Sequence, residues 1–279
     1  MDRTRTRGWL AETGGWTRGV HARGISAKQR LHLAIVLIVA LFAFPSFAQS
    51  ADEHDIQFDL TITEEEFAKF SRLVAQGIYA SPIEPARARG ILGFDVGVGA
   101  TAIPVDTNAS YWQKSVGDDF TVSDYVGVPR VIVSKGLSAV TVSASYAKVP
   151  DTDIQVWGGA LDVPIINGGI VKPTLALRGS YAQLKGVDEF ELTTYGVEVF
   201  LSKGFGPLTP YAAVGRARSD ATGHIVGVIT AVPIPPLHDE ADSTRITVGL
   251  KFSLLIPKIV VEATQAEERS YSAKISFGL

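Results

Sequence analysis

Cysteine is absent from all 279 residues. Disulfides, thiolate metal sites and thiol nucleophiles are therefore closed to this chain. Histidine is scarce too: beyond residue 48 there are only His54, His224 and His238. From residue 49 onward, 19 Lys and Arg face 27 Asp and Glu, so the balance is acidic. With no basic patch to hold a polyanion, nucleic acid is excluded as an expected partner. No long apolar run follows Phe44, so no later helix can cross a bilayer. Membrane residence would then require a closed barrel, because closure alone satisfies every backbone hydrogen-bonding group.

The first 48 residues read as an address. Arg3, Arg5, Arg7, Arg18, Arg23, Lys28 and Arg30 precede the apolar stretch 31–44, which only His32 interrupts. Pro45 follows, with small residues at Ser46 and Ala48. Basic region, apolar core and small-x-small site make a secretory signal peptide, expected to be cut after Ala48. The competing reading is an uncleaved anchor, which Pro45 and the small residues disfavour. The basic region is long enough for Met1 to be an upstream start codon.

Residues 49–89 form an acidic segment carrying one amphipathic helix, expected over 63–80. Thr63 with Glu66 three residues on is a capping box, and Glu64 and Glu65 suit the positive end of the helix dipole. Phe67, Phe70, Leu73, Val74 and Ile78 recur at helical spacing, and Pro82 and Pro85 end it. Placed on the periplasmic side, this helix needs an apolar surface: the barrel lumen as a plug, the barrel mouth as a cap, or a partner.

From Gly90 the period changes to two. Strands are expected over 91–103, 125–135, 139–148, 154–163, 170–181, 191–202, 208–218, 244–256, 258–266 and 271–279. The clearest sets Ile246, Val248, Leu250, Phe252 and Leu254 against Arg245, Thr247, Gly249, Lys251 and Ser253. The closing strand sets Tyr271, Ala273, Ile275, Phe277 and Leu279 against Ser272, Lys274, Ser276 and Gly278. Tyr211 and Ala213 are assigned to the apolar face of the seventh strand, with Arg216 opposite. Connections alternate in length. Those near Lys135, Asn167, Gly204 and Pro257 are short, whereas 104–124 and 219–243 are long. Tyr111, Tyr125, Tyr146, Trp157, Tyr181, Tyr195, Tyr211 and Tyr271 lie near strand ends, as interfacial girdles do.

These features predict an all-β fold: an antiparallel transmembrane β-barrel of about ten strands, within a range of about eight to twelve, over residues 90–279. The alternative is a soluble sandwich, which would not need one apolar face on every strand. The signal peptide, the alternating strands, the short inner turns and the strand Tyr271–Leu279 resemble the bacterial outer-membrane β-barrel class. Ser202-Lys203-Gly204-Phe205-Gly206-Pro207-Leu208-Thr209-Pro210-Tyr211 resembles small uncharacterised barrels of that class. The resemblance implies residence in the cell outer membrane, contact with its lipid, and recognition of the last strand by the barrel-assembly machinery. The terminal residue departs from the common pattern, being Leu279 with Phe277 two before it.

Parity places Asp95, Arg130, Asp162, Arg178, Glu198, Arg216, Lys251, Glu262 and Lys274 toward the lumen. Mixed signs suit ion pairs that fill a narrow interior better than a selective pore. No catalytic residue, cofactor or metal site is expected. No nucleophile motif occurs, and the glycines of Gly93–Gly99 belong to a strand. His224 and His238 with Asp239, Glu240 and Asp242 could meet at a metal, but nothing fixes their spacing, and solvated loop residues are the expectation. The apolar stretch Ile225–Leu237 is unusual for an outer loop. The leading expectation is a structural barrel or passive small-solute channel. The alternative is a transporter of hydrophobic molecules, with the helix as plug and 225–237 as capture surface.

Overall fold

The computed structural model describes residues 56–116, 124–149, 153–169, 171–225, 235–254 and 257–279. The signal sequence, His54 and most of the apolar stretch 225–237 lie outside the described residues.

Ten strands close into one antiparallel barrel, each paired with its sequence neighbour, with the first sealed against the last. They are β1 (Phe94–Pro104), β2 (Tyr125–Leu137), β3 (Val140–Lys148), β4 (Gln155–Ile166), β5 (Thr174–Lys185), β6 (Phe190–Ser202), β7 (Leu208–Gly223), β8 (Leu237–Ser253), β9 (Lys258–Gln265) and β10 (Arg269–Gly278). The seam runs from Asp95 opposite Gly278 to Ala102 opposite Tyr271. No edge is left to template further strands. The β2–β3 turn is two residues long, with Ser138 in the left-handed region at φ 65°.

The largest departure from the sequence expectation is the β7–β8 hairpin. Of residues 219–243, read as a loop, 219–223 and 237–243 are ladder: pairing runs on from Arg216 opposite Thr244 to Gly223 opposite Leu237. The apolar alternation stops at this height because the hairpin rises beyond the apolar band. The hydrogen-bond ladder does not need it.

The outer face carries Val96, Val131, Val133, Leu161, Val197, Val214, Ile246 and Val248, all exposed. Tyr125, Trp157, Tyr181, Tyr195 and Tyr271 are exposed toward the end that carries 105–124 and 224–236, and Phe94, Phe205 and Phe277 toward the other. An apolar belt between two aromatic girdles is the exterior of a membrane barrel. The architecture is that of a bacterial outer-membrane β-barrel. Ile275 shares the outward parity yet is only 8% exposed, between Val98 and Ile259 on the adjoining strands.

Ten strands enclose more space than wall side chains alone fill. Residues 56–93 occupy the surplus. Helix α1 (Glu64–Ile78) touches β1, β2, β5, β6, β7 and β8, so it stands within the ring. Of the three places open to it, lumen, mouth or partner, it takes the lumen, where the inner wall offers its apolar stripe an enclosed greasy surface. A single helical turn, α2 (Ser110–Gln113), caps the long-connection end and packs on α1.

Candidate functional site

The lumen is the candidate site, and it has two layers. Toward the long connections the filling is apolar. Phe58, Phe67, Phe70 and Phe190 meet largely edge to face, with centroids 5.3–6.1 Å apart, and Trp112 lies 6.0 Å from Phe70. Ile103, Val128, Val156, Leu184 and Leu192 complete the wall. A Cβ built on Gly223 would run into the Phe67 ring, so glycine is required for this approach.

Polar contacts fix the helix within that layer. The Thr63 side chain accepts from the Glu66 amide, while the Glu66 carboxylate accepts from the Thr63 amide at 2.9 Å. Lys114, just after α2, reaches Glu66 at 2.9 Å. Ser110, the Thr63 amide and Lys114 together bring the Glu66 carboxyl down to about 2. The Arg72 guanidinium grips Asp239 of β8 through both carboxylate oxygens, at 2.9 and 3.2 Å. Gln76 donates to the Glu268 carbonyl at 2.7 Å and accepts from its amide at 3.0 Å.

The helix ends where the second layer begins. Arg130 donates to the carbonyls of Gly77 and Tyr79 at 2.6 and 2.8 Å, satisfying acceptors that a helix terminus leaves open. The Arg245 guanidinium stacks 3.7 Å from the Tyr79 ring centre, and the Tyr79 hydroxyl donates to Glu198 at 3.3 Å.

Below Tyr79 the chain runs extended through a buried ionic network. Ile83 adopts φ 49°, a conformation uncommon for a β-branched residue, at a sharp bend beside Glu84. The Glu84 carboxylate is 2% exposed and faces Arg89, Lys251 at 3.4 Å and Lys274 at 3.6 Å. Asp95 gathers Lys258 at 3.0 Å, Lys274 at 3.4 Å and the Ser276 hydroxyl at 3.2 Å. Arg178 forks onto Asp162 at 2.7 and 2.9 Å and donates to the Glu84 carbonyl. Tyr211 donates to Glu262 at 2.6 Å.

Of the nine charges assigned inward by parity, Asp95, Arg130, Asp162, Arg178, Glu198, Lys251, Glu262 and Lys274 line this interior. Arg216 does not. It is exposed on the outer face, and Tyr211 and Ala213, assigned outward, are buried inside. The parity of β7 inverts because its inner side carries Ala213, Ala217 and Ala221, small enough for α1 and the segment below it to lie close. Tyr111 is likewise buried at α2 rather than in a girdle, with Lys69 over its ring. The sequence reading missed Glu84 and Arg89, which no strand periodicity could flag, and Arg245, Lys258 and Asp239 on strands.

A cavity of about 30 Å³ beside α1, near Gln76, Tyr79, Ser219 and Arg245, holds on the order of one water. The network pairs cations with carboxylates, and neither His224 nor His238 belongs to it. On the outer face Asp220, His238 and Glu240 bring ligand atoms within 4.8 Å of one another, a grouping that needed the β7–β8 register to be seen. His224 and Asp239 are not in it; Asp239 points inward to Arg72.

No protein-family model and no curated protein sequence matches the chain. Among solved structures, the N-terminal β-barrel domain of Pseudomonas aeruginosa OprF is similar at 12% identity and TM-score 0.32, covering 66% of this chain and 97% of that one. Ail, the attachment invasion locus protein of Yersinia pestis, crystallised with the heparin analogue sucrose octasulfate, is similar at 9% identity and TM-score 0.28, covering 67% and 95%. Neisserial surface protein A is similar at 8% identity and TM-score 0.27, covering 67% and 94%. The barrel assignment stands on strand register and burial.

Proposed function

We propose that this is an outer-membrane barrel of structural type, closed to ions by its own N-terminal segment. One observation carries the reading: residues 56–93 run the length of the lumen and are bonded to the wall in both layers. A passive channel would require that segment to leave. Departure would strand Arg130 and Lys251, whose partners are the Gly77 and Tyr79 carbonyls and Glu84, and would leave Lys274 with Asp95 alone, at several kcal/mol for each uncompensated buried charge, on the order of its desolvation.

A second reading has its own support. The wall around α1 is apolar, so removal of the helix would leave a greasy compartment open toward the long connections. That suits a transporter of hydrophobic molecules with α1 as its plug. Conductance in planar bilayers separates the readings. The intact protein is expected to stay closed, and removal of residues 49–85 to produce steady ion current. Sustained current from the intact protein would overturn the structural reading. Uptake of a hydrophobic dye by cells with the intact protein, abolished when α1 is removed, would favour the transporter.

A further inference from the structure

The outer face carries a groove that the lumen reading does not use. It lies across β4 and β5, measures about 390 Å³ and is lined by Trp157, Gly158, Tyr181, Gln183 and Lys185. Gly159, the outward residue between Trp157 and Leu161, pairs with Tyr181 at its edge. The Tyr146 ring backs Trp157 at 4.7 Å between centroids and holds that wall in place.

Register supplies the charge. Lys148 pairs with Gln155, and Gln155 with Lys185, so all three share one row across three strands on the outer face. Strand spacing sets the two lysine Cα atoms about 10 Å apart, close enough for both side chains to converge on one anion. The next row inward is Tyr146, Trp157 and Gln183. Beyond it lie Leu161 and Leu177, in the apolar belt. Cation, aromatic and aliphatic rows thus succeed one another from the long-connection end toward the barrel middle, in the order of phosphate, glycerol and acyl chain in a lipid leaflet.

Elsewhere on the same girdle Arg218 pairs with Glu240, and Asp220 and Asp242 stand nearby. Among the described residues, Lys148 and Lys185 form no ion pair.

We propose that this groove holds one anionic, phosphate-bearing lipid of the surrounding leaflet, its phosphate between Lys148 and Lys185 and an acyl chain against Trp157 and Tyr181. The inference rests on the membrane-barrel reading, and its test separates the two.

Protein purified from membranes is reconstituted in phosphatidylcholine vesicles containing a small, equal fraction of dibrominated phosphatidylglycerol or dibrominated phosphatidylcholine. Bromine quenches tryptophan on contact. The Trp157 signal is taken as the difference between the unmodified protein and its Trp157→Phe variant. The anionic lipid is expected to be preferred by about thirtyfold in apparent association, from two surface lysines. Lys148→Gln with Lys185→Gln should abolish the preference, whereas Lys135→Gln, at the opposite end of the barrel, should not. Gly159→Leu keeps both lysines and sets a side chain beside Tyr181, at the edge of the groove. A Cβ there meets only the Ser143 carbonyl, at an ordinary 3.7 Å, and the preference should fall. Equal quenching by both lipids, or a preference that survives the double lysine variant, overturns the lipid site and leaves the membrane barrel standing. No quenching of Trp157 by either lipid overturns both.

Discussion

The two halves of the lumen are filled by one continuous segment, yet they cohere by different physics. Around α1, phenylalanines and aliphatic side chains exclude water, and the energy is spread over many weak contacts. Around Glu84 and Asp95, a few charges hold one another, and each group depends on all its partners being present. A packed layer loses stability in proportion to what is removed. An ionic layer fails disproportionately, because a removed partner leaves the others buried and uncompensated.

The sharpest way to break that contrast is Glu84→Gln. It changes almost no volume but leaves Arg89, Lys251 and Lys274 facing a neutral group, and should cost about 4 kcal/mol. Urea unfolding in detergent, followed by far-UV circular dichroism, reads it. Phe67→Ala removes far more volume from the other half and should cost about 3 kcal/mol. If the larger deletion proves the more damaging, the ionic layer is not the more fragile. Gln76→Ala, which forfeits two hydrogen bonds to Glu268 beside a cavity that admits water, should cost about 1.5 kcal/mol by the same measurement.

The smallest effects belong to the start of α1. Thr63→Ala removes the N-cap and should cost about 1 kcal/mol. Glu66 adds a pH dependence of known sign. Its carboxyl lies at about 2 in the folded chain against an ordinary 4.5, so its contribution is complete above 4.5 and is lost as pH falls toward 2. Limited pepsin cleavage near residue 60 should therefore accelerate between pH 4.5 and 2 by more than in a Glu66→Gln variant, whose contacts no longer titrate.

Ten strands and most of their faces could be read from alternation alone, because β1 to β6 and β8 to β10 set branched aliphatics and aromatics against polar groups. Strand β7 could not. Its run Ala212-Ala213-Val214-Gly215-Arg216-Ala217 has too little contrast between faces for parity to be assigned. The lumen was one of three places left open for α1, and the strands carried a pattern that singles it out. A lumen is expected to be polar, yet Ile103, Val128, Val156, Leu184, Phe190 and Leu192 all fall on the inward parity. Six apolar residues on the wet side, all toward one end of the barrel, are the signal that an apolar object lies within. Glu84 had no comparable signal, since an irregular stretch carries no period.

The chain reaches Ile56 at one mouth, bridged to Val116, and leaves at the other to begin β1, whose far flank is the β1–β10 seam. It is a thread passed through a ring made of its own continuation. Such a thread cannot slip sideways out of the ring: it must be reeled lengthwise through a mouth, or the seam must part. Assembly meets the same condition in reverse. Either the ten strands close around a segment already in place, or a closed ring takes in its own leader end-on. The order of those two events can be read from which forms first, the β1–β10 hydrogen bonds or the burial of Trp112.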